Sequence, residues 1–229
     1  MTQYIELHSR SAFSFLEGAA LPEELVDACA AAGMPAMALL DRDGVYGAPR
    51  FHLAAKRVGI RAHIGAEITV KEFLPQRRRD TEEVRPKNLS VPLCLGGRLP
   101  LLVATRMGYQ NLCRLITRMK LRVPKHGECA ATAQDLAEHA AGLICLSGGE
   151  EGPLAAALDC GGLEAGRQCL LELEEIFGRG NLYVEMQRHF DRREAARNQA
   201  AAQLARALGL PLIATNRSEE RRVGKECRL

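Results

Sequence analysis

The sequence predicts an α/β fold, a seven-stranded (β/α)7 barrel resembling a TIM barrel. Three observations lead there. Short apolar runs take turns with amphipathic helical stretches along most of the 229 residues, and strand and helix in alternation imply a parallel sheet covered by helices. Seven of the runs qualify as strands, and a closed barrel is the natural architecture for them. The length and the 47% hydrophobic content suit one core, whereas two independent domains would be crowded.

Taken in order, the predicted strands are Tyr4–His8, Ala36–Leu40, His63–Val70, Leu101–Ala104, Leu143–Leu146, Leu182–Met186 and Leu212–Thr215. Helical periodicity covers Pro22–Ala32, Ala48–Val58, Tyr109–Met119, Ala133–Ala140, Leu163–Phe177 and Arg192–Leu208. Pro22 followed by Glu23 and Glu24 makes a good helix start, because proline fits the first turn and carboxylates oppose the positive end of the helix dipole. Gly33 and Gly209 stand where C-caps belong. Between the third and fourth strands, Lys71–Pro92 holds QRRRDTEEVRPKN, a dense mixture of charges without apolar period, and reads as an exposed insertion.

The bulk properties exclude several classes. No apolar run reaches the length of a membrane span and the N-terminus lacks the apolar stretch of a signal peptide, so a cytoplasmic protein without membrane contact is expected. The eight cysteines are scattered with no C-x-x-C and read as reduced, mostly buried thiols. The formal charge of +3 falls to +1 without the last thirteen residues, which carry five basic and three acidic side chains, so charge alone decides nothing about nucleic acid. Ser147-Gly148-Gly149 follows a strand but lacks the lysine of a P-loop, and no G-x-S-x-G is present.

In a parallel α/β barrel, chemistry sits where the strands end and the loops leave the sheet. The first strand ends at His8, the second at Asp41, the third contains Glu67, and the sixth is followed by Gln187, Arg188 and His189. Histidine with carboxylate is a ligand set for zinc or manganese, with metal-bound water as the nucleophile on a phosphate ester. A strand-end carboxylate also serves to cap a helix or to pair with an arginine, so these residues raise a metal site without settling it.

The blocks ELHSRSAFSFLEGAALPEELVDAC, DRDGVYGAPRFH, GYQNLCRLIT, LICLSGGEEGPLA and YVEMQRHFDRREAARNQAAAQLARALGLPLIATN resemble, in the same order, the PHP domain that opens bacterial C-family DNA polymerases of the polymerase III α type. AFSFLEGA, DRDGVYGAPRFH and SGGEEGPL are more similar to the error-prone branch. The resemblance covers residues 4–216, so residues 1–216 are expected to form the PHP domain, incomplete at its C-terminal end. The segment 217–229, RSEERRVGKECRL, is similar to translated sequencing-adapter sequence and is expected to be disordered.

The resemblance implies a distorted seven-stranded barrel whose mouth, in metal-binding members, holds ions on histidines, carboxylates and a cysteine and acts as a phosphoesterase or exonuclease. Carried over residue by residue, His8 matches the first histidine of H-x-H, Asp41 the aspartate of D-H-G, Glu67 the glutamate of G-x-E, and His189 the histidine ending E-I-Q-x-H. The other ligand positions are changed: Arg10 and Arg42 replace histidines, Arg98 stands where a further histidine would lie, and Gly149 where the cysteine would. A guanidinium has no lone pair for a cation and stays protonated, so each arginine deletes a ligand and adds a positive charge. Asp41 and Glu67 are therefore expected to pair with Arg10 or Arg42, leaving a vestigial site with residual zinc or manganese at most.

For the parent, the resemblance implies template-directed DNA synthesis with magnesium held in a palm domain outside this sequence. It also implies primer–template DNA, the sliding clamp and mutagenesis proteins as partners of the intact enzyme, besides the rest of the polymerase chain. A stand-alone metal-dependent PHP phosphoesterase or exonuclease is the alternative.

Overall fold

A computed structural model describes residues 4–71, 96–123, 129–188 and 192–215. In chain order the elements are β1 (Glu6–Ser9), α1 (Pro22–Ala31), β2 (Ala36–Arg42), α2 (Ala48–Val58), β3 (Arg61–Val70), β4 (Gly97–Val103), α3 (Arg106–Leu121), α4 (Ala133–His139), β5 (Leu143–Leu146), α5 (Pro153–Phe177), β6 (Leu182–Met186), α6 (Arg192–Leu208) and β7 (Leu212–Ala214). The strands form one seven-stranded sheet in sequence order, β1 through β7. The predicted alternation of strand and helix thus holds, with most boundaries within a few residues. Helix α1 carries Pro22 in its first turn with Glu23 and Glu24 behind it, and α3 is capped by the Thr105 side chain, which accepts from the Gly108 N–H. Gly33 and Gly209 take positive φ, 68° and 67°, after α1 and α6.

Three expectations need correction. Among the described residues β1 and β7 are the two edges of the sheet and do not pair with each other, so it is a curled half-barrel and not a closed barrel. The sheet is not wholly parallel, because β4 runs antiparallel to both β3 and β5. A parallel return requires a crossover, usually a helix, and the sequence shows no helical period between Val70 and Leu99. The predicted helix Leu163–Phe177 is only the second half of α5, which begins at Pro153 and kinks where Gly161 and Gly162 leave helical geometry. The paired glycines there hid the first half from a periodicity reading.

The sheet's two faces build different cores. Met37 and Leu39 of β2 pack with Leu25, Val26 and Phe51 of α1 and α2. Leu99, Leu101, Leu143 and Val184 pack outward against α3 to α6. Residues of the other parity, including Ala38, Leu40, Leu102, Leu146, Tyr183 and Ile213, fill the inside of the curled sheet, as the period of two requires. Reversal of β4 brings its amino end, Gly97 and Arg98, beside the carboxyl ends of its neighbours: Arg98 pairs in register with Thr69. An arginine near the start of a strand therefore reaches the same end of the barrel as His8 and Glu67.

Candidate functional site at the barrel mouth

Inward parity carries Glu67 on β3 and Glu185 on β6 to the top of the apolar interior, where His8 meets both. Strand β1 changes register between Glu6 and Ser9, which lets His8 and Leu7 both contribute to the inside. His8 Nε2 lies 2.8 Å from Glu67 Oε1 and His8 Nδ1 2.6 Å from Glu185 Oε1. All three side chains are buried. The other Glu67 oxygen, Oε2, is in ionic contact with the buried Arg10 guanidinium. Glu185 Oε1 also accepts from Gln187 Nε2 at 2.9 Å and from the Thr215 hydroxyl. Glu185 Oε2 is buried without a hydrogen-bond partner among the described residues.

Above this layer, three guanidiniums converge on one carboxylate. Arg98 grips both oxygens of Glu17 at 2.6 Å each, while Arg10 reaches Glu17 Oε2 at 2.9 Å and Arg42 reaches Oε1 at 2.8 Å. Glu151 adds a second carboxylate, 3.1 Å from Arg98 and 3.4 Å from Arg10. The mouth is thus closed by an ordered ladder of opposite charges running from buried Glu185 outward to half-exposed Glu151.

The expected pairing of Glu67 with Arg10 is present, but Asp41 does not share it. Asp41 has the parity of Leu39, facing the α1–α2 side of β2. There its Oδ1 accepts from the Ser11 N–H and hydroxyl, both at 2.8 Å, and from the Ser14 hydroxyl at 2.9 Å. Arg42, one residue on, returns to the mouth. At Gly149 the space for a side chain is taken: a Cβ would lie 2.0 Å from Gln187 Oε1. His189 and the segment 217–229 lie outside the described residues, as do positions 72–95 of the charged insertion. The six described cysteines, Cys29, Cys113, Cys129, Cys145, Cys160 and Cys169, are free thiols.

Glu17, Glu151 and Glu185 were missed by reading strand ends alone. A signal existed, since three arginines brought to one mouth demand carboxylates, and FLEGA and SGGEEGPL supply them in the loops after β1 and β5.

Burial opposes the charged form of His8, but Glu185 and Glu67 outweigh it and push its pKa up from 6.5 to about 10. Burial likewise works against ionised Glu67 and Glu185, yet His8, with Arg10 at Glu67, holds both below the usual carboxylate range. His8 is consequently an imidazolium at neutral pH, donating from both nitrogens. This donor set does not suit a divalent cation: both His8 nitrogens are already engaged by carboxylates, and three guanidiniums surround the acids. Among the described residues, no group of three or more His, Cys, Asp or Glu side chains is arranged to hold an ion.

A pH dependence follows. A raised folded-state pKa stabilises fully below the unfolded value of 6.5 and ceases to do so as pH climbs through about 10. The depressed carboxylates contribute above their unfolded values and lose that contribution as pH falls. The difference in thermal midpoint between the wild type and a His8→Gln variant is expected to shrink steadily from neutral pH toward about 10. A difference that stays constant over that window would mean that His8 is neutral in the fold.

The curled seven-stranded α/β sheet thus gathers one histidine, acidic residues and arginines at its strand ends. The chain belongs to the PHP domain family, whose model matches residues 6–189. It is 36% identical over 213 residues to an error-prone DNA polymerase of Mycolicibacterium paratuberculosis, an alignment covering 93% of this chain and 18% of that protein. It is also 36% identical over 222 residues to an error-prone DNA polymerase of Anaeromyxobacter sp. (strain K), covering 93% and 17%. The chain therefore spans less than a fifth of these relatives. Among solved structures, a candidate metal-dependent phosphoesterase from Bifidobacterium adolescentis superposes with a TM-score of 0.57 at 13% identity, covering 94% of this chain and 87% of that one. An amidohydrolase from Chromobacterium violaceum, with bound sulfate and no metal, gives 0.56 at 14% identity, with the same coverage. At such identities the likeness is one of fold.

Proposed function

We propose that this chain is the PHP barrel of an error-prone DNA polymerase and that its role in the intact enzyme is structural. The parent would carry out template-directed, damage-tolerant DNA synthesis in the cytoplasm, with catalytic magnesium held outside this sequence. Its partners would be the remainder of the polymerase chain, primer–template DNA, the sliding clamp and mutagenesis proteins. The identity with polymerases across 93% of the chain supports this parentage, and no described helix is long and apolar enough to cross a membrane.

One observation carries the structural role: His8 is sandwiched between Glu67 and Glu185 while Arg10 takes the remaining Glu67 oxygen. An imidazolium and a guanidinium supply the positive charge that metal ions would bring, and they leave no nucleophile to activate. His8, Asp41 and Glu67 survive in this reading as parts of a hydrogen-bonded frame, not as ligands.

Elemental analysis tests it, on protein purified without chelator and then incubated with zinc or manganese and desalted. Less than about a tenth of an ion per chain is expected, given that a structural zinc site binds by roughly 10–16 kcal/mol and would retain its ion. One or more ions retained per chain would overturn the proposal and favour the phosphoesterase or exonuclease alternative.

A further inference from the structure

Away from the mouth, helix α3 collects positive charge. It contains Arg106, Arg114, Arg118 and Lys120 and no acidic residue. Described residues 106–123 and 129–139, which form α3, α4 and their flanks, hold five lysines and arginines against two acids, Asp135 and Glu138. That surplus of three equals the formal charge of the whole chain. An open groove of about 780 Å³ runs between the two helices, lined by Arg114, Thr117, Arg118, Leu121, Arg122 and His139, among others.

The cations are not all neutralised within the fold. Arg122 makes a two-pronged contact with Asp135 at 2.7 and 2.6 Å, and Arg118 Nε lies 3.1 Å from the same carboxylate. Asp135 is buried and is itself held by the Thr132 N–H and hydroxyl. One acid thus fixes two guanidiniums along the groove wall, which lowers the entropy lost when an anion binds them. Arg118 also contacts Glu138. Arg106 and Arg114 are exposed and make no ion pair with a described residue. They lie eight residues apart on the outward side of α3, about 12 Å along the axis.

We propose that this α3–α4 face binds the sugar–phosphate backbone of nucleic acid. Guanidiniums suit phosphate through paired N–H donors, and Leu121, 82% exposed, offers an apolar surface to a sugar or base. Nucleic acid is preferred over an acidic protein because Arg114, Arg118 and Arg122 recur every four residues and so line one side of α3, matching a regularly spaced polyanion. That choice of occupant rests on the polymerase reading above. The binding itself needs no metal and no polymerase activity, so it can fail while the structural reading stands, and the reverse.

The test is fluorescence anisotropy of a labelled single-stranded oligonucleotide with the 229-residue chain over a series of salt concentrations. Binding should weaken with salt, at a slope near −0.7 per phosphate contact, or about −2 to −3 for three or four arginines. The double variant Arg106→Gln, Arg114→Gln should lose about 1.4 of that slope and bind about tenfold more weakly at low salt. A control pair, Arg50→Gln with Arg57→Gln, alters arginines that already face acids on α1 and should leave the slope unchanged. Absence of binding at low salt, an unaltered slope in the α3 variant, or equal competition by polyglutamate would each overturn the proposal. Circular dichroism of each variant, expected to match the wild type, separates a lost contact from a lost fold.

Discussion

Replacing Glu67 with glutamine is expected to destabilise the fold by about 3–5 kcal/mol, the cost of breaking a buried ion pair by removing one partner. Glu67 is 2% exposed and stands between two buried cations, His8 on one oxygen and Arg10 on the other. The amide cannot neutralise either, and its NH2 group would point a donor at one of two donors. His8 would retain Glu185, while Arg10 would be left with the outer Glu17 and Glu151 contacts. The matched change at Asp41 provides the contrast. Asp41→Asn keeps an oxygen able to accept from Ser11 and Ser14, with no cation left behind, so about 1 kcal/mol is expected. Urea unfolding of both variants against the wild type measures the two costs. Equal costs at the two positions would mean that water reaches the Glu67 layer and screens it.

The same contrast shows what the sequence could and could not disclose. Strand and helix were legible because their periods, two and 3.6, are local properties: β5, β6 and α2 begin and end where the pattern does. Strand direction was not, since an apolar run such as PLLV in β4 reads alike either way. Direction decided whether Arg98 joined the site, because only an antiparallel β4 delivers its amino end to the mouth. Asp41 misled for a related reason: being last in a strand fixes height in the barrel, while parity fixes the face, and parity turns Asp41 toward Ser11 and Ser14. Glu185 was overlooked in favour of the residues just after β6, although its inward parity matches Tyr183. The family resemblance singled out His8, Arg10 and Glu67, and the structure brings these three into contact at the mouth, with the carboxylates that the arginines called for supplied by the loops.

Removing the Glu17 carboxylate should come next in size. Glu17→Gln leaves Arg10, Arg42 and Arg98 without their shared counterion, and four of its contacts are charge-assisted at 2.6 to 2.9 Å. Three circumstances reduce the loss below that at Glu67. Glu17 is 15% exposed, so water can enter beside the arginines. Glu151 remains to meet Arg10 and Arg98. Leu16, adjoining Glu17, holds a φ of 65°, a left-handed conformation costing about 1–2 kcal/mol in a non-glycine residue; a freed loop recovers part of it. The net expectation is about 2 kcal/mol, between the buried and surface limits. Glu151→Gln, at a carboxylate 43% exposed, should cost less than about 1 kcal/mol. The three acids thus make a graded series in which destabilisation follows burial, Glu67 above Glu17 above Glu151, and added salt should shrink the outer two effects more than the inner one. Unfolding free energies of the three variants at low and high salt would establish the series. If Glu17→Gln proved as costly as Glu67→Gln, the arginine cluster and not the His8 layer would be the main anchor of the mouth.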